Sequence, residues 1–165
     1  MRVRPAVPSD LSQIVALECS PAGLAFVGQW SKERHLATMA GSDARYLVSE
    51  SDSGDLAAFA ILRGLAETSG SIELKRIVVA NPGQGLGHNM LAELLRIVFE
   101  DLRAHRLFLD VFDDNSRARH VYESLGFQYE GLMREAALRD GVYCNLHLMS
   151  ILAGEYAARQ TTDIP

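Results

Sequence analysis

A mixed α/β domain is predicted for this chain on three grounds. Helical and strand periodicities alternate from end to end. A glycine-rich loop, Gly83-Gln84-Gly85-Leu86-Gly87, joins a strand to the most regular amphipathic helix. Asp140-Gly141 divides two long strand-like runs as a hairpin turn does.

The elements follow in order. Arg2 to Val7 reads as a short strand. Ser9 or Asp10 is a suitable cap for a helix that buries Leu11, Ile14, Val15 and Leu17. Pro21 to Gln29, rich in small residues, reads as a loop, and Ser31 to Ala40 as a second helix stopped by Gly41. Arg45 to Glu50 is a strand, Ser51 to Asp55 a turn, Leu56 to Leu65 a buried strand and Glu67 to Ser71 another turn. Ile72 to Ala80 is the next strand. Its apolar positions are 72 and 74, then 77 and 79, so the parity slips at Lys75-Arg76. A β-bulge there, or burial of both faces at 77–79, accounts for the slip. After the glycines, Leu86, Met90, Leu91, Leu94, Leu95, Val98 and Leu102 share one helical face. Arg106 to Phe112 is a strand with Leu107, Leu109 and Val111 on one side. Asp113-Asp114-Asn115-Ser116 opens a helix that carries Ala118, Val121, Tyr122 and Leu125 inward and stops at Gly126. Phe127 to Arg139 and Val142 to Leu152 are the hairpin strands. The end from Gly154 reads as frayed, so one domain is expected over 1–155 with a tail at 156–165.

Composition narrows the function. The chain has 165 residues, 48% hydrophobic and 22% charged, which is the balance of one globular domain rather than a disordered chain. A net charge of −5 disfavours a nucleic-acid partner, which demands a dense basic surface. The longest apolar run, Leu56 to Leu62, is too short to span a membrane, and no apolar stretch follows the charged first residues as in a secretory signal. Cys19 and Cys144 form neither a disulfide framework nor a metal-ligand spacing. His35 and His88 likewise show no metal spacing and read as surface or loop residues, so no metal is expected. The expectation is a cytoplasmic protein with no membrane partner.

The glycine loop carries the strongest chemical signal. Glycines let backbone N–H groups approach a ligand, and a helix N-terminus adds unpaired donors and partial positive charge. Together they suit a phosphate or pyrophosphate. A Walker A loop is excluded, because His88-Asn89 follows the glycines instead of Lys-Ser/Thr. A dinucleotide fingerprint fits poorly: Met90 stands where Gly or Ala is needed, and several elements precede the loop.

The segment from Ile72 to Leu152 resembles motifs A and B of the GNAT superfamily of acetyl-CoA-dependent N-acetyltransferases. Gly83-Gln84-Gly85-Leu86-Gly87 is similar to the pyrophosphate loop Q/R-x-x-G-x-G/A. Asn115-Ser116-Arg117-Ala118 through Val121-Tyr122-Glu123-Ser124-Leu125-Gly126-Phe127 is similar to motif B, and Glu130-Gly131, Asp140-Gly141-Val142-Tyr143 and Leu148 to Leu152 also fit. These motifs resemble those of the ribosomal-protein (Rim-type) N-acetyltransferase and the polyamine or antibiotic acetyltransferase branches. The sequence departs from the pattern where Pro82 replaces the residue that opens the loop and removes one N–H, and where Cys144 and Asn145 replace an acidic residue.

The resemblance implies a mostly antiparallel mixed sheet splayed in the middle, with helices on both faces. It implies direct acetyl transfer from acetyl-CoA to a primary amine, either a protein N-terminal α-amine or a small polyamine-like acceptor, without a covalent enzyme intermediate and without a metal. The alternative is a CoA-binding sensor that has lost turnover. Relatives of this kind often pair, which leaves a homodimer open. Backbone groups around Ile77 and Val79 are expected to hold the pantetheine arm. Gln84, Gly85, Leu86, Gly87 and His88 are expected at the pyrophosphate, with Asn115 and Arg117 as further cofactor contacts. Asn115 also suits a helix cap, and Arg117 also reads as a lone exposed arginine.

Tyr122 stands where the family has its general acid, and that reading is preferred over its structural alternative, a tyrosine packed on the buried helix face with a satisfied hydroxyl. Two carboxylates are candidate bases. Glu73 precedes the loop on its strand. Asp110 lies between Phe108 and Phe112, whose apolar flanks raise a carboxyl's pKa toward a working pH. Rim-like enzymes have an acid at this strand position, so Asp110 is preferred, with a charge held by Arg106 as its structural alternative. At pH 7 neutralising an α-amine costs roughly 1 kcal/mol and a lysine-like amine roughly 4.6, so a weak base matches the former better. Phe26 and Trp30 lie where the family builds its acceptor site but read first as core packing.

Overall fold

The computed structural model describes residues 2–51 and 54–162. Seven strands form one sheet in the order β1-β2-β3-β4-β5-β7-β6: β1 (Val3–Pro5), β2 (Ala44–Glu50), β3 (Leu56–Arg63), β4 (Ser71–Val79), β5 (Arg106–Phe112), β6 (Gln128–Arg139) and β7 (Val142–Leu152). Every neighbouring pair is antiparallel except β4 and β5. Parallel neighbours need a crossover, and α4 (Leu86–Arg96) supplies it. The helix continues through one π turn, Ile97–Asp101, closed by Leu102 N–H on the Ile97 carbonyl at 2.9 Å.

The expected splay is the central feature of the sheet. β4 and β5 pair only over Ser71–Glu73 and Arg106–Phe108, then part. The expected bulge lies at the same place. Ile61 pairs with Arg76 and Leu62 with Leu74, which leaves Lys75 as the extra residue. The slip turns Leu74 to one face and Arg76 to the other, and β4 keeps alternating burial on both sides of it.

Helices cover both faces. On one, Met90, Leu91, Leu94, Leu95 and Val98 pack over Leu62, Ile72, Leu74, Leu107 and Leu109, joined by Tyr122 of α5 (Ser116–Ser124). Each such buried side chain contributes about 1.5–3 kcal/mol relative to exposure. On the other, α1 (Leu11–Glu18) and α3 (Lys32–Ala40) pack Ile14, Leu17 and Met39 over Tyr46, Val48, Phe59, Ile61 and Val78. Gly41 ends α3 as expected, and Ser31 stands just before it as a cap whose hydroxyl accepts from Arg34 N–H. The hairpin turn at Asp140-Gly141 takes positive φ at both residues, 52° and 79°.

Three expectations are corrected. The stretch read as a loop from Pro21 contains α2 (Pro21–Phe26), because Pro21 occupies the first helical position and the Ser20 hydroxyl accepts from Gly23 N–H. Asp10 does not cap α1 from outside. Its carboxylate accepts from Val7 N–H across a 3₁₀ turn, Pro8–Asp10, that precedes the helix, and it also takes two bonds from Arg4. The chain does not fray at 154, since α6 runs Ala153–Thr162. Tyr156 stacks on Phe99 at 5.0 Å and donates to Glu100 at 2.7 Å, and Arg159 donates to the Ser124 carbonyl. Residues 52 and 53 of the turn, and 163–165 of the tail, lie outside the described residues.

Tyr156→Ala is expected to lower the unfolding free energy by about 3 kcal/mol, a cost typical of removing a buried aromatic. Urea denaturation measures it, and a change under about 0.5 kcal/mol, the range of surface substitutions, places α6 outside the cooperative domain.

Candidate active site

Where β4 and β5 part, a cavity of about 690 Å³ opens. Its walls come from both strands, the glycine loop, the first turns of α4 and α5, α2 and the segment that follows it, and the bulged stretch of β6. Both diverging strands end at this cleft, and each leads to a helix N-terminus. The two termini differ. At α5, the Asn115 side chain accepts from Ala118 N–H at 3.2 Å, so that helix caps itself. At α4 the cap position is Gly85, in the left-handed region at φ 76°, with no side chain to satisfy the first N–H groups. Gly83, at φ 97°, is covered by Arg117: a Cβ there would lie 2.7 Å from its guanidinium. A Cβ on Gly85 would meet nothing within 4 Å. The loop therefore offers open backbone donors beside an exposed arginine, a surface suited to a pyrophosphate.

Among the residues singled out from sequence, Ile77, Val79, Gly85, Gly87, His88, Asn115, Arg117, Asp110 and Tyr122 all line the cavity. Gln84 and Leu86 belong to the loop and helix start but are not on its wall. Glu73 is also off the wall, bonded to Lys75 Nζ at 3.0 Å. Asp110 is not held by Arg106, which pairs with Glu130 instead. Its side chain is exposed to solvent within the cleft, although protein surrounds the cleft itself. Burial pushes its carboxyl above the ordinary value, the nearby Lys75 charge opposes this, and the Glu73 charge adds to it. Tyr122 is buried against Phe127, ring centres 5.6 Å apart. Burial drives its hydroxyl pKa up, and the Asp110 charge raises it further. No hydrogen bond to another described residue is formed by that hydroxyl, unlike the satisfied tyrosine of the structural alternative. Phe26 is a wall residue and partly exposed, not core.

His35 is the largest departure from expectation. It is fully buried, not a surface residue. Its Nε2 donates to Glu18 Oε2 at 3.2 Å, since a carboxylate can only accept, and its Nδ1 lies 2.9 Å from the Tyr46 hydroxyl. Glu18 also accepts from Trp30 N–H at 3.0 Å and faces Arg76 Nη1 at 2.7 Å. Arg76 donates to the Gly28 carbonyl and lies over the Trp30 ring, 4.3 Å from its centre, with Arg34 over the same ring at 4.1 Å. Arg76 is also a wall residue, so this network anchors α1, α3 and the 27–30 segment to the cleft. Burial alone raises the Glu18 carboxyl, but the bonds from His35 and Trp30 and the Arg76 charge overcome it and hold it below its usual value. The parity slip at Lys75-Arg76 carried the signal for this network, because it turns an arginine inward and a buried arginine requires a carboxylate. Arg139 had no sequence signal. It spans the cleft rim by pairing with Asp114, donating to the Ala25 carbonyl at 3.0 Å and stacking on Phe112 and Phe26.

Among the described residues no group of His, Cys, Asp and Glu stands where it could hold a metal, both cysteines are free, and no helix is long and apolar enough to cross a membrane.

The site is thus a cleft between two parting parallel strands, with a glycine loop at one end and a carboxylate and a tyrosine within. The model of the Acetyltransferase (GNAT) family matches residues 14–127, and the chain belongs to that family. Spermidine N(1)-acetyltransferase of Vibrio cholerae is 31% identical over 86 residues, 51% of this chain and 50% of that protein. L-amino acid N-acetyltransferase AaaT of Escherichia coli is 34% identical over 67 residues, 41% of each. The chain thus spans about half the length of the curated relatives it matches. A solved structure of spermidine N-acetyltransferase SpeG from Vibrio cholerae, a point variant, superposes with a TM-score of 0.85 at 25% identity, over 97% of this chain and 99% of that one.

Glu18→Gln is expected to cost about 3–5 kcal/mol at neutral pH, because it strands the buried Arg76 charge. The Glu18 carboxyl lies below its unfolded value, so its contribution is present above the ordinary carboxylate range and lost as pH falls through the lowered value. Denaturation curves of both proteins should therefore converge in acid. A constant difference at every pH contradicts the ion-pair account.

Proposed function

We propose that this chain transfers the acetyl group of acetyl-CoA to a primary amine. The observation that carries the reading is the cleft itself: a gap in the sheet that begins at a bulge, runs past a carboxylate and a tyrosine, and ends at an uncapped, glycine-lined helix N-terminus.

The residues fit the cosubstrate. Backbone N–H groups of the 83–88 loop, with Arg117, would hold the pyrophosphate. Ile77 and Val79 line the gap where β4 pairs with β3 but no longer with β5, so backbone groups on that open side would hold the pantetheine arm. Acetyl-CoA supplies an activated acyl group, and the chain's own residues position it and move protons. Asp110, raised by burial, would take a proton from the incoming ammonium, and its location on the cleft side of β5 supports that role. Tyr122, whose raised pKa keeps it protonated, would donate from its unpartnered hydroxyl to the departing thiolate. Glu73, bonded to Lys75 and off the wall, is not assigned proton transfer. It adds negative charge beside Asp110.

Thiol release from acetyl-CoA over a panel of amines tests the reading. Tyr122→Phe should lower kcat by about 10²–10⁴-fold with little change in acetyl-CoA affinity. Asp110→Asn should abolish the acidic limb of the rate profile, where wild-type activity rises as the carboxyl ionises. The same substitution should not destabilise the fold at neutral pH. A folded-state pKa above the unfolded value means that stability is lost as pH rises through it, so ionised Asp110 is a cost the asparagine avoids. Tight acetyl-CoA binding without turnover of any amine identifies the sensor instead.

A further inference from the structure

The charges around the amine half of the cleft are already matched, with one exception. Glu18 pairs with Arg76 at 2.7 Å, Glu73 with Lys75 at 3.0 Å, and Asp114 with Arg139. Asp110 forms no ion pair among the described residues and lines the cavity. Glu135 precedes the lining Ala136 on bulged β6 but is not itself on the wall. Lys75 and Arg76 also line it, each held by its own carboxylate, and the remaining wall of this half is apolar, from Phe26 and Val27 across to Phe112 and Leu138. Aromatic faces could cage an ammonium, but those here are taken by arginine: Arg139 lies 4.6 Å from the Phe112 ring centre and 5.9 Å from that of Phe26.

We infer that the acceptor is a primary amine bearing one positive charge on an otherwise apolar body, and that polyamines are rejected. The inference rests on the acetyl-transfer reading and names the substrate class of that site. The cleft wall holds one carboxylate, Asp110, that no described cation contacts directly, and so has room for one ammonium. A second ammonium further along the acceptor would face an apolar wall and the Arg139 guanidinium, unpaired and desolvated, which is costly. Free amino acids with apolar side chains, arylalkylamines and apolar peptide N-termini share the required chemistry.

The decisive comparison is between amines that differ only by a remote charge. With the wild-type protein and saturating acetyl-CoA, kcat/KM for hexylamine should exceed that for hexamethylenediamine by about tenfold or more, and spermidine should rank with the diamine. Phenethylamine, phenylalanine and a peptide with N-terminal phenylalanine separate the three sources. Arg139→Gln removes the rim cation and should narrow the gap between monoamine and diamine, chiefly through KM. A diamine or spermidine used as well as hexylamine overturns the inference and leaves the acetyl-transfer reading standing. Absence of turnover with every amine, while acetyl-CoA still binds, overturns both.

Discussion

The parting of β4 from β5 after three residue pairs is the constraint on which the rest of the molecule depends. It falls at the one parallel junction of the sheet, and parallel strands require a crossover helix between them. That requirement places the glycine loop and the N-terminus of α4 at the carboxyl end of β4, while α5 starts at the carboxyl end of β5. Ligands of open α/β sheets gather outside the carboxyl ends of strands for this geometric reason. The bulge at Lys75 is the local device. One extra residue bends β4 away from its neighbour and reverses which side chains face each layer.

The same bulge sets the electrostatics. It turns Arg76 toward the layer of α1 and α3, where Glu18, His35 and Trp30 must answer its charge. A buried ion pair of this kind adds little net stability compared with apolar packing, but once present it cannot lose one member cheaply. Its role in this fold is to fix where the 27–30 segment lies, and that segment is part of the cleft wall. Asp110 is the opposite case. It makes no direct ion pair among the described residues, and burial outweighs the nearby Lys75 charge, so its charged form is disfavoured in the resting fold. A carboxyl raised in this way suits the proton transfer proposed for it.

Much of this was legible in the sequence, and the reasons differ by element. The glycine loop and α4 are specified locally, by backbone freedom at Gly83 and Gly85 and by a regular apolar stripe from Leu86. The bulge was legible as a slip in period, because a strand's faces alternate strictly and any extra residue shows. The network around His35 was signalled only at Arg76, by that slip. Its members come from positions 18, 35, 46 and 76, and only tertiary packing brings them together. Helix α2 was hidden by small residues and a proline that serve equally in a loop, and α6 by a weakly apolar sequence whose helicity depends on Tyr156 docking on Phe99. Of the two carboxylates, sequence favoured Asp110 through its flanking phenylalanines. The structure separates the two by pairing Glu73 with Lys75.

The claim that the gap between β4 and β5 receives acetyl-CoA is tested most directly by amide hydrogen exchange with and without that ligand. The open edge of β4 and the uncapped start of α4 have backbone donors that no described strand or side chain satisfies, so they should gain protection on binding. The account predicts that protection concentrates at residues 76–79 and 84–88, with β1, β2 and β3 unchanged. Binding that protects other segments and leaves both of these stretches unaltered would contradict it.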